Sequence, residues 1–97
     1  MDIQTIKNKT TRIFRSQDVV KAAVFGSYAV GKPKSSSDID FVVEFSGQKS
    51  LFDFADLKLQ LEKVLNKDVD LLTYRSLHPL LKNIILKEQK IIYEKKS

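Results

Sequence analysis

Residues 23–45 read AVFGSYAVGKPKSSSDIDFVVEF, and this stretch decides the fold. It holds the end of one short apolar run, VVKAAVF at 19–25, and the whole of a second, DIDFVVEF at 38–45. Both are rich in Val, Ile and Phe and too short for core helices, so each is expected to be a buried strand. Gly26 breaks the first strand. Residues 27–30 are expected to form one short helix, closed by Gly31 and Pro33. Lys32 to Ser37 is a polar loop leading back to the neighbouring strand. Side chains alternate along a strand, so Asp38 and Asp40 share one face while Ile39 and Phe41 take the other, toward a core.

Gly26-Ser27 and Asp38-x-Asp40 suggest complementary chemistry. Glycine lets backbone approach a phosphate with no Cβ in the way. Ser27, opening a helix, adds free N–H groups, a favourable dipole and a hydroxyl donor. Two carboxylates this close repel one another until a proton or a cation offsets the charge, and hard Mg²⁺ prefers oxygen ligands. Two Mg²⁺ roughly 3.5–4 Å apart can activate an attacking oxygen and stabilise a leaving pyrophosphate. Lys32 and Lys34 lie in the connecting loop, where they can touch a triphosphate. Either half alone is commonplace, a capped turn or a solvated strand start. Ten residues apart, both converge on one triphosphate and read as a nucleotidyl-transfer site.

Working outward, Ile3, Ile6, Thr10, Ile13 and Phe14 mark a leading helix over 3–14, ended by Ser16-Gln17-Asp18. After the turn 46–50, Ser50 is placed to cap a helix over 51–66, with Phe54, Leu57, Leu61, Val64 and Leu65 on its buried side. Residues 68–73 (DVDLLT) form a third strand. Leu77, Leu80, Leu81, Ile84 and Ile85 make an amphipathic stripe in a final helix over about 76–87, with Ser76 as cap and Pro79 in the first turn. KIIYE at 90–94 is a closing strand. The expected fold class is α/β (α+β), in the order αβαβαβαβ: a small mixed sheet of about four strands with helices packed on it, as one domain over 1–97.

Composition bounds the rest. The chain has 97 residues, 42% of them hydrophobic, which allows a real core and argues against disorder. It has no cysteine, so disulfides and thiolate metal sites are excluded. No apolar run suits a signal peptide or a membrane span, so a soluble, cytoplasmic protein is expected. The net charge of +5 has much of its excess near the ends, at Lys7, Lys9, Arg12 and Arg15, then Lys90, Lys95 and Lys96. Solvated helix faces and a frayed tail account for most of this, since no aromatic residues interleave with it as in a single-strand platform.

Gly26-Ser27, ten residues, then Asp38-Ile39-Asp40 resembles the signature of the DNA polymerase beta-like nucleotidyltransferase superfamily. The length and the ending resemble its minimal nucleotidyltransferases, the antitoxin-type partners of HEPN-domain toxins, and the likeness covers nearly the whole chain. The resemblance implies a third carboxylate on a later strand, which helps bind the catalytic metal and activates the acceptor hydroxyl. Asp70 is preferred because an acid inside an apolar strand is costly unless paired or metal-bound, and because an apolar pair follows it. Asp68, of the same parity, is the alternative.

The resemblance further implies ATP as substrate and two Mg²⁺ held by Asp38, Asp40 and Asp70. Gly26 and Ser27 would take the β- and γ-phosphates, and AMP would pass to a tyrosine of the HEPN toxin. The small size suggests that the acceptor surface comes from a partner. Two competing readings are a non-catalytic module that neutralises its partner by contact, and a basic nucleic-acid-binding domain. The acidic motif makes a poor nucleic-acid surface. Base preference and homo- or hetero-oligomeric state stay open. Of the remaining residues, His78 reads as a surface or capping residue, and Tyr28 as packed beside the nucleotide or partly buried. Tyr74 and Arg75 are expected near the acids, and Glu44 out of metal reach.

Overall fold

Asp2 starts the first helix by accepting the backbone N–H of Thr5 at 2.8 Å. The computed structural model describes residues 1–34 and 37–95; residues 35 and 36 of the polar loop, and Lys96 and Ser97 of the tail, lie outside the described residues. The elements are α1 (Ile3–Ser16), β1 (Val19–Phe25), a 3₁₀ turn (Gly26–Tyr28), β2 (Ile39–Phe45), α2 (Leu51–Leu65), β3 (Val69–Thr73), a second 3₁₀ turn (Tyr74–Ser76), α3 (Pro79–Glu88) and β4 (Lys90–Glu94). The strand order is β3-β2-β1-β4. β1 runs antiparallel to β2 and β4, while β2 and β3 are parallel, so the sheet is mixed as expected.

The two faces of the sheet are packed unequally. Ile39, Phe41 and Val43 of β2 enter the main core with Ile6 and Phe14 of α1 and Leu57, Leu61 and Leu65 of α2. Phe14 meets Phe41 edge-on at 5.9 Å between ring centroids. The opposite face has only a small cluster, Ala23, Val42, Tyr74 and Ile85, and α3 covers it through Ile85. By strand alternation Asp40 and Glu44 lie on this second, thinner side with Val42.

Several expectations need correction. The segment after β1 is a three-residue 3₁₀ turn that begins at Gly26, not an α-helix over 27–30; Gly31, at φ +76°, ends it before an α-helical turn can propagate. α2 buries a narrower stripe, Leu57, Leu61 and Leu65, and Val64, at the edge of that stripe, stays exposed. The last helix starts at Pro79 rather than Ser76. A residue before proline disfavours helical backbone, and His78 is extended (φ −61°, ψ 141°) with its Nδ1 accepting the N–H of Leu80 at 3.2 Å. His78 is therefore the cap, and Ser76 closes a separate turn held by Thr73. Of the stripe expected along α3, only Ile85 is buried.

Ser50 does cap α2, in a reciprocal capping box with Asp53: the Asp53 N–H donates to Ser50 Oγ at 3.2 Å and the Ser50 N–H donates to Asp53 Oδ2 at 3.0 Å. Ser50→Ala is expected to lower stability by about 1 kcal/mol. Urea unfolding should show this as a lower midpoint with an unchanged slope.

Candidate active site

Three strand ends meet in one row. In the sheet register Phe25 of β1 pairs with Asp40 of β2, and Asp40 pairs with Asp70 of β3. The parallel register therefore sets two carboxylates side by side, one residue beyond the turn at Gly26. Two contacts hold the start of β3 in place. The N–H of Ile39 donates to the carbonyl of Asp68 at 3.1 Å. The N–H of Val69 donates to Glu62 Oε2 of α2 at 3.0 Å. Val69 and Leu71, on either side of Asp70, anchor the strand in the main core.

Gly26 bears directly on the Asp40 side chain. It has φ +72°, a left-handed conformation that favours glycine, and a Cβ built on it would fall on Asp40 Oδ2, well inside van der Waals contact. The Asp40 carboxylate thus occupies the space a side chain at 26 would need. Nothing in the residue pattern beyond the Gly-Ser pair itself signalled this contact. Glu62 was likewise missed, since a glutamate on an exposed helix gives no sign that it will accept a strand-edge N–H.

The neighbouring acids perturb Asp40. The Asp40 carboxyl is pushed up to about 6, first by burial, then by the charge of Asp70 and a hydrogen bond with it, and last by the charge of Asp38. A group that gains a proton to relieve this crowding can instead gain a cation, and an all-oxygen donor pair suits Mg²⁺. Asp40 and Asp70 fit that role. Asp38 is exposed at the entry to β2 and acts on Asp40 through charge. Among the described residues, no three His, Cys, Asp or Glu side chains are already gathered at metal-binding spacing, so Asp38 would have to turn inward to complete a site.

The other candidates separate clearly. Ser27 is half-buried in the 3₁₀ turn, whose first N–H groups have no intrahelical acceptor. Lys32 and Lys34 are exposed on the following loop. Asp68, just before β3, and Asp70 are both exposed, so no burial cost singles out Asp70; what distinguishes it is its register position opposite Asp40. Tyr28 is buried in the main core.

Tyr74 and Arg75 are not near the acids. They follow the far end of β3, four and five residues beyond Asp70, and each strand residue advances about 3.3 Å. Tyr74 donates its hydroxyl to Gln89 Oε1 at 2.5 Å, and the Lys21 ammonium lies 5.1 Å from its ring centroid. Its hydroxyl is pushed up to about 12 by burial and by the charges of Glu44 and Glu94.

A family model described as Polymerase beta, Nucleotidyltransferase matches residues 8–97. A relative in Methanocaldococcus jannaschii, provisionally named a protein adenylyltransferase, is 52% identical over 88 residues, which is 91% of this chain and 95% of that one. A solved structure described provisionally as a minimal nucleotidyltransferase superposes with a TM-score of 0.81 at 34% identity, covering 93% of this chain and 95% of that one. A crystal structure of a toxin-antitoxin with AMP-PNP also gives a TM-score of 0.81, at 26% identity, covering 93% of this chain and 74% of that one.

Two outcomes follow from the geometry. Because folding raises the Asp40 carboxyl from 3.8 to about 6, the folded chain binds the extra proton between those values, and stability falls as pH rises through that window. Asp40→Asn is thus expected to unfold at a higher temperature than the parent at pH 7.5, with the gain gone at pH 4. Gly26→Ala is expected to destabilise the fold by about 1–3 kcal/mol, through strain at positive φ and displacement of the Asp40 carboxylate. In the double variant with Asp40→Ala, part of that cost should disappear in urea unfolding.

Proposed function

The chain belongs to the polymerase beta nucleotidyltransferase family, and we propose that it is a Mg²⁺-dependent protein adenylyltransferase. It moves AMP from ATP onto a tyrosine hydroxyl of a partner HEPN-domain toxin, and so acts as the antitoxin of a pair in the cytoplasm. The observation that carries this reading is the Asp40–Asp70 pair set across the parallel register beside Gly26. The likeness to an adenylyltransferase and to a toxin-antitoxin bound to an ATP analogue supports it. Among the described residues no helix is long and apolar enough to cross a membrane.

In this mechanism Gly26 and Ser27 receive the β- and γ-phosphates on backbone N–H groups and the Ser27 hydroxyl. Lys32 and Lys34 add positive charge from the loop. Asp38, Asp40 and Asp70 would hold two Mg²⁺, which when bound would offset charge on the triphosphate and on the leaving pyrophosphate. The tyrosine oxygen attacks the α-phosphorus, the bond to the β-phosphate oxygen breaks, and pyrophosphate leaves. Asp70, the outermost acid of the row, takes the hydroxyl proton.

Incubation with ATP labelled at the α-phosphate, Mg²⁺ and the HEPN toxin tests this. Label is expected on a toxin tyrosine, with loss of its RNase activity. Asp38→Asn/Asp40→Asn should abolish both. A double variant that binds and silences the toxin without labelling it would establish neutralisation by contact and overturn the catalytic reading.

A further inference from the structure

Asp70 reaches its place opposite Asp40 on an edge strand. β3 has five residues and pairs with β2 alone, so its outer backbone groups face no strand. The Asp70 side chain is exposed and adds no burial that would hold the strand.

The start of β3 is gripped instead at one peptide unit. The Asp68 carbonyl and the Val69 N–H belong to the same planar amide. The carbonyl accepts the Ile39 N–H of β2 at 3.1 Å, and the N–H donates to Glu62 Oε2 of α2 at 3.0 Å. Ile39 lies between Asp38 and Asp40, and Val69 directly precedes Asp70. One amide thus ties the segment that carries the first two acids to the strand that carries the third.

Glu62 holds the turn into β3 at both ends. Its backbone carbonyl accepts the N–H of Asn66 at 2.8 Å, which closes α2 with Asn66 in the left-handed region at φ 54°. Three residues later its half-buried carboxylate takes the Val69 N–H. Residues 66–68 are therefore spanned by two contacts of a single residue, on a helix anchored in the core by Leu61 and Leu65. An ionised acceptor makes the bond to Val69 charge-assisted. It also polarises the amide, so that the Asp68 carbonyl becomes a better acceptor for the Ile39 N–H.

We infer that Glu62 is a positioning residue for the transfer reaction: by gripping the Asp68–Val69 amide it fixes the height and rotation of β3 at Asp70, and so the alignment of Asp70 with Asp40. This rests on Asp70 acting in the reaction, as in the function proposed above. Glu62 acts through the Val69 N–H and not on the reacting groups. Val69 and Leu71 keep β3 in the core without it, so its loss shifts the strand rather than detaching it. A displacement of about 1 Å at a catalytic group can cost on the order of 100-fold in rate.

The test uses the full isotope-labelled chain for NMR, and transfer of α-labelled AMP to the HEPN toxin. Glu62→Ala is expected to move the Ile39 amide proton upfield, although the two residues hold opposite ends of the amide. Its kcat should fall about 10-fold or more while KM for ATP stays within about twofold, because Gly26 and Ser27 follow β1, outside the clamp. Glu62→Gln keeps an oxygen acceptor at the same reach and should recover the Ile39 shift and most of kcat. Ser50→Ala weakens the opposite end of α2. It should lose stability yet keep the parent's Ile39 shift and kcat well below its unfolding midpoint.

An unmoved Ile39 amide in Glu62→Ala, or an unchanged kcat, would overturn the inference and leave the proposed function standing. So would a Glu62→Gln as impaired as Glu62→Ala, or a Ser50→Ala that loses kcat in step with it, since charge or helix stability would then be the cause. A parent chain that labels no tyrosine of the toxin would overturn the proposed function and the inference with it.

Discussion

Parallel pairing of β2 with β3 sets Asp40 against Asp70, and the candidate site depends on that register. Slipping β3 by one residue would send both its acid and its apolar residues to the wrong faces. The core prevents this slip, because Ile39, Phe41, Val69 and Leu71 interlock on one side while the carboxylates crowd on the other. The crowding works against stability, and it is tolerated because the packed side over-determines the strand positions. Gly26 completes the arrangement from β1. A larger residue there would compete with the Asp40 carboxylate for the same space.

The sheet thus divides its work between two faces. α1 and α2 bury one face with large side chains, and this side supplies most of the hydrophobic stabilisation. The other face carries the acids, a small cluster around Ile85, and a helix whose apolar residues mostly meet solvent. The asymmetry leaves the acid-bearing face open while the opposite face keeps the acids in register.

Much of this was legible in the residues. The run VVKAAVF became β1 over the same seven positions, and KIIYE became β4, because short Val- and Ile-rich segments bounded by turn residues have few alternatives. Of the acids singled out after Gly26-Ser27, the sheet sets Asp40 beside Phe25 and Asp70, while Asp38 stays exposed at the entry to β2. Asp70 was preferred to Asp68 on local pattern, and the register places it beside Asp40. What sequence could not convey depended on tertiary placement. The stripe of α3 has the period of a buried helix, yet periodicity says which residues share a face and not what that face meets. Tyr74 follows the acid-bearing strand in sequence, but the strand's length carries it away from the site. The contact between Gly26 and the Asp40 carboxylate arises only once β1 and β2 are paired.

The most direct test of the central claim is an NMR titration of the Asp40 carboxyl carbon, in the protein alone and with Mg²⁺ and a non-hydrolysable ATP analogue. The account requires a midpoint near 6 in the protein alone, displaced downward when the cation competes with the proton. A midpoint at the ordinary carboxylate value of 3.8, or one near 6 that ignores Mg²⁺ and nucleotide, would contradict it.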